Sequence, residues 1–242
     1  IEFDRIAIEP YIKDLFSEEA RPLIDELHAT WKPSGTIDGS FEWTQTEGAN
    51  LTRFTLRPQE VTFHVGEREQ ILKRESGQLI IADGIVDVDE LVVKSPLDSS
   101  EVRFRGSIAL EPSDAEHRLD VDFIDMSFGA PLTEETLRLS AGNSFSTVWH
   151  DHDPEGGFDG ALSIETSPSN RVEVALVPNR FTMLADPSDP ESRGGGDIEP
   201  GAIIQYNDGD LQIGPLVMNG HDSAELEIFG QALDLTGAPK VI

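Results

Sequence analysis

The 242-residue sequence contains no cysteine, which excludes disulfides, thiolate catalysis and cysteine-ligated zinc sites. Basic residues are scarce as well, since 18 Lys and Arg stand against 46 Asp and Glu and give a formal net charge of −28. This balance excludes the basic surface by which proteins bind nucleic acid or anionic lipid headgroups. No apolar run approaches the roughly 18 residues that a membrane-spanning helix needs.

What the sequence does contain is typical of a folded chain. Apolar residues make up 38% of it and recur in patterned runs, which a disordered chain does not show. The sequence opens on Ile1-Glu2-Phe3, with neither an initiating Met nor a signal-like segment. We therefore expect it to be a piece of a longer protein.

The sequence also repeats itself at an interval of roughly 120 residues. Residues 33–39 (PSGTIDG) match residues 154–160 (PEGGFDG) in the Pro, two Gly and the Asp. Four more pairs of segments match at similar spacing: 1–3 with 121–123, 56–58 with 176–178, 83–84 with 208–209, and 98–106 with 222–230. This predicts two tandem units, 1–118 and 119–242, belonging to a longer array. A simple two-domain duplication is the alternative.

Each unit is predicted to contain a short strand, one helix and then a series of antiparallel strands. Ser17-Glu18-Glu19 and Thr133-Glu134-Glu135 have the hydroxyl and carboxylates favoured at a helix start. Elsewhere apolar and polar residues alternate with period two, as in 102–110, which is typical of strands with one dry face. Asp83-Gly84 and Asp208-Gly209 predict hairpins. The predicted fold is thus mainly β: a long antiparallel, twisted, groove-forming sheet built from two repeats, each with one helix.

The Gly- and Pro-rich stretch 186–200 interrupts this pattern and is predicted to be a solvated loop. No motif in the sequence predicts catalysis. Residues 151–156 begin like a calcium loop, but Leu162 occupies the position of the required Glu. His150 and His152 have no third metal ligand to join them, and Ser144 lacks the second Gly of a nucleophile elbow. We therefore predict no enzyme activity, no metal and no cofactor.

The repeated motifs resemble those of AsmA-like bacterial envelope proteins, which include the TamB-like translocation and assembly modules. The resemblance rests on three features: Pro-x-Gly-x-x-Asp-Gly opening a strand, a Gly-containing hairpin, and a final strand ending in Gly. The matching positions are Pro33, Gly35, Asp38, Gly39, Asp83, Gly84 and 101–106 in unit one, and Pro154, Gly156, Asp159, Gly160, Asp208, Gly209 and 225–230 in unit two.

The resemblance implies a periplasmic segment of an inner-membrane-anchored protein whose apolar groove shields or conducts lipid acyl chains between membranes. The implied partners are acyl chains and further repeats of the same chain, without nucleic acid or a membrane span in this segment. A helix in each unit departs from the family pattern and would cap or plug the groove. The predicted groove-lining residues are Val102, Phe104, Ile108, Leu119, Val121, Phe123, Val172, Val174, Leu226 and Ile228.

Three other interpretations of the sequence stay open. The predicted lining residues could instead be packed in an ordinary core under the helices. The chain could be a β-sandwich-like binding or structural repeat of a surface protein that uses acidic loops for calcium. A polysaccharide-active enzyme is the third, although only 7% of the residues are aromatic and could stack on sugars.

Overall fold

The structure is a computed structural model in which 14 antiparallel strands belong to one sheet. The mainly β, antiparallel fold class predicted from the sequence is confirmed. The residues that the structure describes are 1–8, 21, 25, 28–29, 32–46, 49–65, 68–96, 99–109, 116–130, 133, 151–166, 171–207, 210–219, 225–233 and 240–241. Among them, no helix has the length and hydropathy to cross a membrane.

By their internal contacts the residues group into two compact units. One unit contains Ile1–Val121 with Ile164–Asn170, and the other contains Asp122–Ser163 with Arg171–Ile242. The first unit has its strands paired in chain order. They are β1 (Glu2–Ala7), β2 (Ser34–Thr46), β3 (Ala49–Val65), β4 (Arg68–Ala82), β5 (Ile85–Lys94), β6 (Glu101–Ala109) and the first half of β7 (His117–Ser127).

The second unit holds the rest of β7 and the strands that follow it. These are β8 (Glu155–Thr166), β9 (Arg171–Leu184), β10 (Arg193–Ile198), β11 (Ile204–Asn207), β12 (Asp210–Asn219), β13 (Glu225–Leu233) and β14 (Lys240–Val241). Both β10 and β11 pair with β9 on one side and β12 on the other. A turn at Pro200-Gly201 separates them, where Gly201 has a φ of 102° and the Ala202 N–H donates to the Glu199 carbonyl at 3.4 Å. Pro followed by a positive-φ Gly is the type II turn sequence.

The hairpin predicted at Asp83-Gly84 is confirmed. Both residues have positive φ, 51° and 72°, and the flanking Ala82 and Ile85 form the first pair of β4 with β5. Positive φ at both central residues defines the type I′ turn, whose twist matches that of the strands it joins. Asp208-Gly209 lies outside the described residues, between the paired Asn207 and Asp210.

The prediction that all of 186–200 is a loop is wrong, because residues 193–198 form β10. Gly194, Gly195 and Gly196 pair with Met183, Thr182 and Phe181 of β9. The reason is close backbone approach: a Cβ on Gly195 would lie 2.3 Å from the Phe181 carbonyl oxygen. Backbone groups alone make a strand ladder, so a run of Gly that lacks apolar alternation can still pair.

The predicted helix starts at 17–19 and 134–135 lie outside the described residues. Arg21, Asp25, His28 and Ala29 are helical, as are Thr133 and Asp151. One helix per unit therefore stays a prediction.

Candidate apolar surface

The repeated Pro-x-Gly-x-x-Asp-Gly motif forms the start of β2 in the first unit and the start of β8 in the second. Its first Gly has a positive φ at both places, 133° at Gly35 and 114° at Gly156. A Cβ at either position would lie 2.0 Å from a carbonyl oxygen of the next strand, that of Glu60 or Arg180. Only Gly fits such a close approach of two backbones.

The Asp of the same motif binds a bulge in the preceding strand. Arg5 in β1 has a φ of 50°, and its N–H donates to Asp38 Oδ1 at 2.8 Å. Asp125 in β7 has a φ of 53°, and its N–H donates to Asp159 Oδ1 at 2.9 Å. The hydrogen bond from the Arg5 backbone is the main cause that lowers the pKa of Asp38 below its usual 3.8. A carboxylate thus satisfies an amide that the bulge removes from the strand ladder.

These contacts fix the register of a row of small and apolar residues that crosses six strands of the first unit. Directly opposite residues of an antiparallel pair lie on the same face of the sheet. The row runs through Phe3, Gly39, Leu56, Leu79, Val88 and Gly106. A parallel row on the same face runs through Phe41, Phe54, Ile81, Val86 and Ile108. The Phe41 and Phe54 ring centroids are 4.9 Å apart.

A matching row crosses the second unit. It begins at Phe123 and Gly160, which lie next to each other, and Gly160 in turn lies next to Leu176. From there the row continues through the paired residues Leu176, Ile204, Ile213 and Gly230. In sequence these six residues are spaced from Phe3, Gly39, Leu56, Leu79, Val88 and Gly106 by the interval of the repeat. A side chain on Gly39 would collide with the Phe3 ring, its Cβ lying 2.6 Å from Phe3 Cζ. Gly39 therefore leaves room for the Phe3 ring, whereas at Gly160 the side chain that a Cβ would meet is Leu176, at 2.8 Å.

Most of the predicted groove-lining residues share this face. Val102, Phe104 and Ile108 alternate with Gly106 along β6, and Val102 and Phe104 pair with the buried Val93 and Leu91. Val102, Leu119 and Val121 are buried, whereas Phe104, Ile108, Phe123 and Val174 are half-buried. Val172 is 40% exposed. The side chains of Leu226 and Ile228 lie outside the described part of the chain, and their backbones pair with Met218 and Leu216.

Of the apolar members of the two matched rows, the predicted lining set contains only Phe123. Phe3, Leu56 and Leu176 enter the sequence prediction only as repeat matches, and Leu79, Val88, Ile204 and Ile213 do not enter it at all. These last four lie on strands next to the matched Asp-Gly pairs, and Leu79 and Val88 precede Ile204 and Ile213 by the same spacing as those pairs. That spacing is the signal that could have found them. Alternation identifies which residues of one strand share a face, but the register that joins strands into a row depends on the bulges.

The opposite face of the first unit carries ion pairs between neighbouring strands. Lys73 Nζ lies 3.1 Å from Glu60, and Lys94 Nζ lies 3.2 Å from Glu101. Arg118 of β7 contacts Glu165 of β8 at 3.5 Å, and it also contacts Asp120 of its own strand at 2.8 Å. The two faces thus differ in chemistry, with apolar rows on one and paired charges on the other. The Lys73–Glu60 pair is half-exposed, and pairs of this kind contribute little to stability. Glu101 differs from Glu60 because it is buried.

Glu101 is the acidic residue of this face that should respond most to pH. Hydrogen bonds from Arg103 first, and from Lys94 second, lower its pKa below the usual 4.5. The ionised form is favoured by folding, so its stabilisation is fully present above about pH 4.5 and is lost as the pH falls through the lowered pKa. We expect Glu101→Gln to lower Tm at pH 7 by roughly a few degrees and to flatten the acid fall of Tm.

Thermal melts from pH 7 down to pH 2.5, followed by circular dichroism, measure this effect. Glu60→Gln is the matched control, because Glu60 forms a single, half-exposed pair with Lys73. A melting profile of Glu101→Gln that parallels that of Glu60→Gln at every pH would contradict the role given to Arg103 and Lys94.

In the second unit, part of the apolar face is covered by the protein's own residues. The Phe128 ring centroid lies 4.9 Å from that of Phe158 and 5.3 Å from that of Phe181. Phe181 also packs against the buried Ile198 and Ala202. At the positions in the first unit that match these rings in sequence stand Ile8, Ile37 and Val61, all half-buried. At these three positions, therefore, the second unit is packed with aromatic side chains and the first with aliphatic ones.

The residues that resembled a calcium loop make ordinary polar contacts. Arg193 bonds the Asp153 carboxylate and also donates to its backbone carbonyl at 2.8 Å. His152 Nδ1 lies 2.5 Å from the Leu184 carbonyl oxygen. Within the described residues, no group of three His, Asp or Glu side chains could hold a metal ion.

Comparison with known proteins gives no match: no family model, no curated protein and no solved structure resembles the chain significantly.

Proposed function

We propose that this chain is a non-enzymatic segment of an AsmA-like envelope protein whose apolar groove shields lipid acyl chains. In this proposal the chain consists of two tandem repeats of a twisted sheet, each with one helix, in the periplasm of a longer, inner-membrane-anchored protein. The observation that carries it is the pair of matched apolar rows, each of which crosses the strands of one unit.

The chemistry of the rows suits hydrocarbon. A row that runs across the strands offers a continuous apolar path over many strands, along which an extended acyl chain can lie. Each CH₂ group that leaves water for such a path gains about 0.8 kcal/mol. The rows contain no charged residue that would select a headgroup. The proposal therefore predicts that the chain binds lipids through their acyl tails, without preference for a particular headgroup.

The charged face supports the same proposal. A wide sheet has two faces. A high net charge makes molecules of the protein repel one another, which opposes their association through the apolar face. The formal charge of −28 and the ion pairs among Glu60, Lys73, Lys94 and Glu101 supply a wet face in the first unit. The dry face is then left for helices of the same chain, for acyl chains, or for both.

The experiment is native purification followed by lipid mass spectrometry. The wild-type chain should carry phospholipid, and the double variant Phe104→Asp, Ile108→Asp should carry at least about fivefold less, because it is costly to transfer two charges on the apolar face from water to contact with hydrocarbon. Both residues are half-buried, so the substitution alters the face without placing a charge in the fully buried core. Circular dichroism must show that the variant keeps its strands.

Thr44→Asp is the control. Thr44 is exposed on β2, and its side chain lies on the face opposite to Phe41 and Trp43. The substitution therefore adds a charge to the face away from the apolar rows. A wild type that is free of lipid, or an equal loss of lipid in Thr44→Asp, would contradict the proposal. Binding of a fluorescently labelled phospholipid to the purified proteins gives a second measurement, independent of what the expression host supplies.

A second candidate function, a structural or binding module without lipid, is favoured by the aromatic packing of the second unit. There Phe128 closes the apolar face over Phe158 and Phe181, as in an ordinary core. If the lipid-free outcome is found, this function becomes the better interpretation.

A further inference from the structure

The outer edge of β1 is exposed where the matching strand of the sequence repeat is covered. In the described part of the chain β1 pairs with β2 alone, whereas β7 lies between β6 and β8. The side chains differ accordingly. Ile1 is 85% exposed and Ile6 is 45% exposed, but the matched Val121 and Met126 are each only 4% exposed.

The bulge in β1 does not protect this edge from pairing. Bulges and charges are common devices by which edge strands avoid a further strand. The bulge at Arg5 is, however, repeated at Asp125 of β7, with nearly the same φ and the same hydrogen bond to an Asp. Since β7 has a strand on each side, this bulge is compatible with pairing on both edges.

The free backbone groups of this edge can be assigned. Ile1 and Phe41 exchange both backbone hydrogen bonds, at 2.8 Å and 2.7 Å, which places the groups of Ile1 toward β2. Successive residues of a strand point their N–H and C=O groups to opposite edges. The N–H and C=O of Glu2 therefore face outward, away from β2.

We propose that the outer edge of β1 accepts an antiparallel strand of the β6 type, supplied by a neighbouring repeat of the same polypeptide. The strand that covers β7 on this side is β6, and β13 carries the matching sequence in the second unit. Charge does not select this strand type, because β6 carries Arg103 and Arg105 whereas β13 carries Glu225 and Glu227, so the proposal rests on the backbone groups and on the repeat. This inference rests on the tandem-repeat arrangement proposed above and does not depend on lipid.

The test uses a fluorescein-labelled peptide with the sequence of residues 99–109, titrated with the 242-residue chain and followed by fluorescence anisotropy. We expect saturable binding to the wild type. Glu2→Pro removes the outward N–H without touching the groups that pair with β2, and it should raise the Kd by at least about tenfold. Glu2→Ala keeps the N–H and is the matched control, for which we expect a Kd within about threefold of the wild type.

Thermal melts should show that both variants are folded, and their lipid content should equal that of the wild type, which separates this proposal from the lipid one. Absence of peptide binding, or equal affinity for Glu2→Pro and Glu2→Ala, would overturn the proposal. A concentration-dependent oligomer of the wild type that Glu2→Pro abolishes would overturn it too, because it would assign the edge to a second copy of the chain. Light scattering after size exclusion measures that outcome.

Discussion

Gly35→Ala and Gly156→Ala are each expected to destabilise the chain severely, by about 4 kcal/mol, with a fall in Tm of roughly 10 °C. In both cases the new Cβ would lie 2.0 Å from a carbonyl oxygen of the adjacent strand. The φ values of 133° and 114° add backbone strain for any residue with a side chain. The only relief is to separate β2 from β3, or β8 from β9, at the place where the Asp of the motif binds the bulge.

Gly194→Ala is the matched control, because Gly194 also lies in a strand but has no atom within 4 Å of a Cβ built on it. It should change Tm by no more than about 2 °C. Circular dichroism melts of the three variants make the comparison. Equal melting temperatures for Gly35→Ala and Gly194→Ala would show that the strands can separate there at little cost, and that the motif does not determine the register of the rows.

The expected severity of these two substitutions explains the composition of the motif. The first Gly allows two backbones to approach, the Asp accepts a hydrogen bond from the amide of the bulge, and the second Gly makes room for Phe3 in the first unit and for Leu176 in the second. Each of the three residues meets a separate steric or hydrogen-bonding requirement. Together they fix the register, and the register brings residues of six strands into a row.

Local features were predictable from the sequence, and features that depend on register were not. Asp83-Gly84 was recognised because a type I′ turn needs only those two residues and their strands. Val102 and Phe104 were assigned to one face because alternation is a property of one strand. The partner of Asp38, in contrast, is the amide of Arg5, 33 residues earlier in the chain, and no local pattern indicates it.

The strand β10 shows a second limit of pattern reasoning. Its sequence, Arg-Gly-Gly-Gly-Asp-Ile, has no apolar alternation, and three consecutive Gly favour a loop when taken alone. It forms a strand because β9 and β12 lie on either side and supply partners for its backbone groups. Tertiary pairing here overrides local preference, as it commonly does for strands.

The same dependence on neighbours distinguishes the packing of the two units. Their rows are matched, yet the aromatic cluster around Phe128 closes the apolar face in the second unit, and aliphatic residues stand at the matching positions of the first. Along the rows themselves burial runs the other way, since Leu56 and Val88 of the first unit are 7% and 9% exposed whereas Leu176, Ile204 and Ile213 of the second unit are half-buried. Under the proposed function, the aromatic cluster therefore limits access of an acyl chain only where Phe128 covers Phe158 and Phe181.

Phe128→Ala tests this difference and should have the second large effect. Phe128 is 7% exposed and contacts both Phe158 and Phe181, so its loss leaves a cavity and should lower stability by about 3 kcal/mol. Phe229→Ala is the control, since Phe229 is 73% exposed and should shift stability by less than about 0.5 kcal/mol. Urea denaturation followed by circular dichroism measures both variants.

The functional consequence follows from the same cavity. If Phe128 blocks the apolar face, then Phe128→Ala should bind more of a fluorescent fatty acid than the wild type at a temperature where both are folded, by roughly twofold or more, because an apolar cavity of this kind accepts apolar guests. A destabilised variant with unchanged fatty-acid binding would show that Phe128 serves only as core. Equal stability of Phe128→Ala and Phe229→Ala would show that the aromatic cluster contributes little to the core of the second unit and does not control access to its apolar face.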